Sequence, residues 1–591
     1  MRQNKRLKTK KLTTYLSSYK KEFVLGPFFK LLEAVLELFV PMIMADIIDV
    51  GIAGGDTTYI LWRGLLLVGL AAVGLGFSLT CQYMASKCSQ GFGTDLRNAL
   101  FKHVNSLSHA EFDKFGASSL ITRITGDVNQ LQTAVAMLIR LASRTPFIII
   151  GSVVMSFIIS PKLSLIFIAA AVLIAVALYF IMSRSVPHYK QVQGKLDDVS
   201  QVTRENLAGV RVVRAFSKEE YERKRFDNAA TSLSRTATIA GAISALLNPV
   251  TYLIINMAVI AVLWFGGVTV NIGGLKQGEV VALVNYLTQI SLTLVVVANL
   301  IVIFTKASAS GARVREVLDT ATSISDDGNA QVSPVENAAK VKFDNISFGY
   351  GGGKDVLTDI DVSISSGMVV GVIGGTGSGK SSLVNLIPRF YDVTKGAVEV
   401  DGVDVRKYPL SQLRGKIGYV PQQTALFSGT LRDNMKWGNS DADDNQIMRA
   451  LEIAQAADFV NALPDGLDTV VSQGGRNFSG GQRQRLTIAR ALVRNPEIVI
   501  LDDSASALDF ATDLALRKAL RTCLNDCTVF IVSQRASSIR HADVIIVLDK
   551  GVAVGIGTHS QLIDSCEVYR EIVTSQEDSG NDNDKEATSH E

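Results

Sequence analysis

The sequence predicts an α-helical membrane domain of six spans followed by an α/β domain of the P-loop nucleotide-binding class. Three observations predict it. Of the 591 residues, 47% are hydrophobic and the mean hydropathy is +0.25, too apolar and too long for one soluble domain. Apolar residues form long runs before about residue 320 and alternate with charge and glycine after it. Finally, MVVGVIGGTGSGKSSLVNLI sets a glycine-rich turn between an apolar strand and a helical run.

Six apolar stretches are long enough to cross a bilayer, at about 24–48, 61–81, 141–160, 163–182, 246–265 and 280–304. The loops after the first, third and fifth are short and nearly free of Lys and Arg. Those after the second and fourth run to roughly 55 residues and carry Arg204, Arg211, Arg214, Arg223, Lys224 and Arg225. Positive-inside reasoning places the long loops and both termini in the cytoplasm of a multi-pass cell-membrane protein. These loops are poor in Pro and Gly, so helices are expected there; two antiparallel helices of about 22 residues would reach about 33 Å.

The first span contains Lys30, Glu33 and Glu37 at i, i+3 and i+7, on one helix face. Ionisable groups in a span are costly. Two readings stand open: Glu33 and Glu37 contact cationic, amphipathic cargo, or the three pair with one another near the interface with Lys30 snorkelling.

The basic start, MRQNKRLKTKK, lacks the short apolar segment and cleavage site of a signal peptide. The net charge of +3 points neither toward nor away from nucleic acid, and no nucleic-acid partner is expected. Cys81, Cys88, Cys523, Cys527 and Cys566 lack the spacing of a zinc site and read as free thiols. The domain organisation expected is 1–320 in the membrane, a linker at 321–340, the α/β domain at 341–575, and an acidic, disordered tail at 576–591.

Gly374, Gly379, Lys380 and Ser381 satisfy GxxxxGK[ST]. Glycines turn backbone N–H groups toward phosphate oxygens, and the following helix adds its positive end. Thr376, Gly377, Ser378 and Ser382 complete this cradle. Lys380 is expected on the β/γ-phosphates of ATP and Ser381 on Mg²⁺. The run IVILDDSASALD reads as a buried strand delivering carboxylates, with Asp502 as a second Mg²⁺ ligand. FSGGQRQRL offers Ser479, Gly480, Gly481 and Gln482 at a helix start, another anion site.

On these motifs the chain resembles the ATP-binding cassette (ABC) exporters, as a half-transporter, over nearly its whole length. The resemblance implies that Tyr350 in SFGY stacks on adenine, that Gln422 in YVPQQ contacts Mg²⁺ and senses the membrane domain, and that Asp509 in SALD belongs to the D-loop. FDKFGASSLITRITGDVNQ and ENLAGVRVVRAFSKEE resemble the two intracellular loops whose short coupling helices dock on the cassettes.

The chain departs from the family pattern at three places. Asp503 stands where a glutamate polarises the attacking water. One methylene fewer withdraws the carboxylate by roughly 1 Å, and misplacement on that scale can cost about 10²-fold in rate. Gln534 replaces a histidine that contacts the γ-phosphate, and its amide cannot carry positive charge. Gln473 in SQGG replaces a glutamate. Within the family, each nucleotide lies between one cassette's P-loop and the other's signature. The resemblance therefore implies a heterodimeric multidrug exporter with a hydrolysis-impaired site on this chain. The partner expected is a related half-transporter with an intact glutamate and histidine, completed by this chain's Ser479 and Gly481. The cargo expected is an amphipathic drug or lipid. Another cargo (peptide, lipid or haem-related compound) and a regulatory ATP-sensing subunit are the alternatives.

Overall fold

The computed structural model describes residues 11–326, 332–504, 507–523 and 526–576. The chain forms two compact units, one of Met1–Asn105 with Ala117–Thr320 and one of Ser106–Gly116 with Ala321–Glu591. Most of the basic start and all but the first residue of the expected acidic tail lie outside the described residues.

The first unit is built from α1 (Lys20–Asp46), α2 (Thr57–Val104), α4 (Ala117–Ile159), α5 (Pro161–Ala208), α6 (Glu219–Asn271) and α7 (Gln277–Asp319). Between α2 and α4 in the chain, α3 (His109–Phe115) belongs to the second unit. Five of these helices, α2 and α4 to α7, are long and apolar enough to cross a membrane. At the first predicted span, α1 forms as a helix, but Lys30, Glu33 and Glu37 interrupt its apolar stretch. Outward-facing side chains such as Leu61, Trp62, Leu173, Phe180, Leu253 and Trp264 are exposed; an apolar surface of that extent suits lipid rather than water.

Inside the unit the helices meet over small residues, the pattern that close packing in a membrane favours. Ser152, Ser156 and Ser164 are fully buried. A Cβ on Gly278 would fall 2.4 Å from the Ala45 carbonyl oxygen, so only glycine lets α7 approach α1 there. Its N–H donates to Asp49 Oδ1 at 2.6 Å. Pro41 deprives the α1 turn of one N–H. Beside that loosened turn the buried Tyr286 hydroxyl of α7 donates to the Leu38 carbonyl at 2.5 Å. Helix α4 is interrupted by π-helical turns at Arg123–Asp127 and Leu138–Ala142, and Arg140 in the second donates to Ser86 of α2 at 2.6 Å.

Among the described residues the second unit has twelve strands. β1 (Val341–Phe348), β2 (Leu357–Ile364), β4 (Lys395–Val400) and β5 (Val403–Asp404) form an antiparallel sheet in the order β2-β1-β4-β5. The main sheet runs β12 (Val552–Gly557), β11 (Val544–Asp549), β3 (Val369–Gly374), β10 (Thr528–Val532), β9 (Ile498–Asp502), β6 (Ile417–Val420). All its pairings are parallel except β11 with β12. A small pair, β7 (Gly429–Thr430) and β8 (Val470–Val471), stands apart.

Both central strands are buried along their length, which explains why they read as continuous apolar runs rather than alternations. Their side chains serve two cores in turn. Ile498, Ile500, Phe530 and Val532 join one cluster, while Val499, Leu501, Val529 and Ile531 join the other. Within the stretch expected as a linker, Lys340 pairs with Asp401 at 2.7 Å, and Val332 exchanges hydrogen bonds with Gln412. These ends of the stretch pack on the second unit.

The seven-residue α3 is too short to persist alone and is held by its surroundings. Its Ser108–Glu111 capping box is shared, since Glu111 also accepts the Ser323 N–H at 3.2 Å. His109 stacks on Phe390 with ring centroids 4.3 Å apart, and Tyr391 donates to Asp113 at 2.6 Å.

Replacing Tyr286 with phenylalanine leaves the Leu38 carbonyl without that donor. We expect a loss of about 1 kcal/mol, read as a lower thermal unfolding midpoint of the purified full chain, with nucleotide binding unchanged.

Candidate functional site

Strands β3, β9, β10 and β6 all end at one edge of the main sheet, where parallel α/β folds carry their ligands. Register fixes this: Val532 lies opposite both Val372 and Asp502, and Val420 opposite Leu501. From β3 the chain enters the glycine-rich turn. Gly374, Gly377 and Gly379 have φ of +156°, +82° and +98°, a region side chains disfavour. A Cβ on Gly374 would lie 2.1 Å from the Leu548 carbonyl oxygen, so the turn is also packed from below. Helix α8 (Lys380–Asn385) follows directly.

Lys380 Nζ spans the turn, donating to the Gly374 and Gly375 carbonyls at 2.9 and 2.8 Å. Burial lowers its affinity for a proton, against the charges of Asp503 and Asp502. Ser378 Oγ is buried and has no hydrogen-bond partner among the described residues, an orphan group inside the cradle.

The two expected metal ligands meet. Ser381 Oγ donates to Asp502 Oδ1 at 2.8 Å. Asp502 is 4% exposed, and its carboxyl is raised above the ordinary range by burial, with Asp503 adding and Ser381, Tyr419 and Lys380 opposing. A hydroxyl and a carboxylate are hard oxygen donors of the kind Mg²⁺ takes, its other positions being water and phosphate. Together with the cradle, this donor set fits a magnesium–nucleotide complex.

Asp503, next along, has a left-handed backbone at φ +47° although it is not glycine. Its N–H donates to the Val532 carbonyl at 3.0 Å, extending the β9–β10 ladder, and its carboxylate accepts from Gln422 Nε2 at 3.2 Å. Gln422 and Asp503 are thus neighbours. Tyr350 stands half out of the surface, edge-on to Phe348 and Tyr391, with its hydroxyl 2.9 Å from Ser382 Oγ. Gln534 follows β10 with its side chain exposed.

Ser479, Gly480, Gly481 and Gln482 open helix α9 (Gly480–Leu492). Ser479 caps it, accepting from the Gln482 N–H at 3.2 Å while the Gln482 side chain reaches back to the Ser479 N–H at 2.9 Å. Among the described residues no hydrogen bond joins this turn to the 374–382 loop. A Cβ on Gly481 would instead lie 3.2 Å from the Ala507 carbonyl oxygen, so the signature backs onto the SALD turn. There Asp509 caps α10 (Phe510–Cys523) through the Thr512 N–H at 3.0 Å.

Two contributors escaped sequence reasoning. Tyr419 on β6 donates to Asn385 at 2.9 Å and approaches Asp502 at 3.4 Å, tying α8 to the carboxylate. Gln576, expected as the first residue of a disordered tail, is helical. It grips the Gln534 loop from both sides, accepting from the Ala536 N–H and donating to the Gln534 carbonyl, each at 2.8 Å. A lone glutamine beside an acidic run carries no signal of such a role. Glu33 and Glu37, in the first unit, are engaged by cations: Lys30 holds Glu33 at 2.6 Å and Arg144 holds Glu37. The five cysteines are free thiols.

Residues 23–294 match the family of ABC transporter transmembrane regions and residues 357–506 the ABC transporter family. An uncharacterized ABC transporter ATP-binding protein of Mycobacterium tuberculosis is 38% identical over 569 residues, covering 96% of this chain and 97% of its own. The ATP-dependent lipid A-core flippase of Vibrio vulnificus is 31% identical over 566 residues, 95% of this chain and 96% of its own. The structure of a bacterial Atm1-family ABC exporter with ATP bound superposes with a TM-score of 0.79 at 25% identity, covering 95% of this chain and 100% of that one.

Ser381→Ala removes one of two hard donors. The Mg²⁺ concentration needed for half-maximal binding of a fluorescent ATP analogue should rise by about 10-fold or more, with binding in the absence of Mg²⁺ little changed.

Proposed function

Because the chain belongs to the ABC transporters, as an exporter half-transporter with its membrane region and ATPase domain in one polypeptide, we propose that it works as the hydrolysis-impaired subunit of a heterodimeric exporter. The observation that carries this reading is the contrast at one sheet edge. The Ser381–Asp502 pair is complete, while Asp503 and Gln534 replace the two groups that would act on the attacking water and the γ-phosphate.

In this reading Lys380 and the backbone N–H groups of 375–382 bind the phosphates, Tyr350 offers a ring to adenine, and Ser381 with Asp502 holds Mg²⁺. When bound, that ion neutralises charge on the phosphate oxygens. Asp503 receives a proton from water only across a longer gap than a glutamate leaves, and Gln534 donates a neutral hydrogen bond. The site retains nucleotide but turns it over slowly. The intact signature, Ser479 to Gln482, is then lent to the partner's ATP, as its separation from this chain's own P-loop suits.

Two surface features support a second chain. The tip of the second long loop exposes Leu207, Val212 and Phe216 at 70, 60 and 71%, apolar groups with the character of a docking knob. Beside α3 the second unit has a cleft of about 710 Å³ lined by Phe427, Trp437 and Arg490, the kind of receptor such a knob needs. We assign α1 as the sixth span, with its charges neutralised in pairs, and both termini to the cytoplasm. An amphipathic drug or lipid is the cargo class this reading favours, in keeping with the name of the Vibrio flippase.

In lipid nanodiscs we expect little ATP turnover from the chain alone and brisk turnover once it is co-expressed with its partner. Asp503→Glu combined with Gln534→His should raise the chain's own turnover by about 10²-fold. Fast hydrolysis by the unaltered chain alone would sink the proposal.

A further inference from the structure

The first unit holds a small polar cavity that the transport reading leaves unassigned. It lies between α1, α4 and α7, has a volume of about 150 Å³, and is lined by Glu37, Arg144, Gln289 and Thr293 with apolar walls that include Ile148 and Leu292. Its chemistry follows from which polar groups are already engaged. Thr293 and Thr145 donate to carbonyls of their own helices, at 2.7 and 2.9 Å. Glu37 accepts from Arg144. Gln289 Oε1 accepts from Ser152 at 3.4 Å, which leaves its amide N–H groups as donors.

Arg144 has five N–H donors. One nitrogen, Nη2, meets Glu37, whereas the buried Nε has no acceptor among the described residues. Arg140, one turn earlier, donates to Ser86 at 2.6 Å and likewise has a buried Nε without an acceptor. Within the cavity's own lining Arg144 and Glu37 are one cation and one carboxylate, so the surplus there is of donors, the Arg144 N–H groups and the Gln289 amide, rather than of charge. Buried donors on a cation are costly to leave unmet, and a guanidinium fork matches the two oxygens of a carboxylate or phosphate.

We propose that this cavity binds the acidic headgroup, phosphate monoester or carboxylate, of an amphiphilic cargo, with Arg144 as the principal contact and Gln289 as the second donor. The inference rests on the transport reading and narrows its substrate class. It reverses the sequence expectation of cationic cargo, because the carboxylates on which that expectation stood are held by Lys30 and Arg144. Size agrees: the cavity is smaller than the roughly 300–1,000 Å³ of a drug-sized pocket and suits a headgroup alone. Leu292 is both a wall and exposed on the unit's surface, so an acyl chain can leave along it.

The test uses the full chain in phosphatidylcholine nanodiscs with a diazirine-bearing lysophosphatidic acid, and maps the adducts by mass spectrometry. We expect labelling on 141–148 and 289–296, competed by unlabelled lysophosphatidic acid and by oleate but not by hexadecyltrimethylammonium. Competition by inorganic phosphate as well would identify free phosphate as a ligand; its failure would identify the lipid headgroup. Arg144→Gln should reduce labelling about tenfold. The double variant Arg144→Gln with Glu37→Gln, which strands no buried charge, should reduce it equally, whereas Glu37→Gln alone should preserve or strengthen it. Labelling elsewhere, competition by the ammonium amphiphile, or loss of labelling in Glu37→Gln alone would overturn the proposal. Binding of a fluorescent ATP analogue in the same discs separates the two readings. Lost labelling with ATP binding intact counts against the headgroup site alone, and lost ATP binding in the unaltered chain counts against the exporter reading.

Discussion

The site depends on the register of a parallel ladder. Val532 of β10 stands opposite Val372 on one side and Asp502 on the other, so three strands end together and their loops face one space. A slip of one residue would turn every alternate side chain to the opposite core. Ile500 and Phe530 would exchange places with Leu501 and Ile531, and Asp502 would move away from Ser381. The two cores therefore specify the site: apolar packing on both faces holds a hydroxyl and a carboxylate 2.8 Å apart.

Backbone conformation sharpens the constraint where β9 ends. Asp503 turns into the left-handed region while its N–H still satisfies the ladder. Few side chains tolerate that conformation, and aspartate is among the better suited because its short carboxylate bonds locally. Its carboxylate reaches Gln422 from that turn. The residue is thus well placed to hold the end of the ladder against the neighbouring loop, a structural merit separate from any chemistry.

What sequence reading made legible was local. The glycine turn, Lys380, Ser381 and the carboxylate strand carry their meaning in consecutive residues, and the fold brings them together as the spacing implied. Long-range partners stayed hidden. Glu37 invited comparison with Lys30 and Glu33 on its own helix, yet its cation comes from Arg144, 107 residues away. Gln576 and Gln534 are 42 residues apart and share no pattern. Helix α1 shows the converse: Lys30, Glu33 and Glu37 lie in consecutive turns, plain in the sequence, and they keep it outside the group of long apolar helices.

Helix α3 belongs to the second unit, but its partner Tyr391 lies 278 residues downstream of Asp113. At synthesis rates of roughly 5–20 residues per second, that partner arrives some 15 to 60 s later. During this interval a seven-residue helix with a bare histidine face must wait for its seat, too short to hold its own shape. The first-made piece of the unit thus finds its seat only after the later strands are made, and a chain released by a ribosome stalled in between carries α3 without Phe390 and Tyr391 to receive it, open to a chaperone.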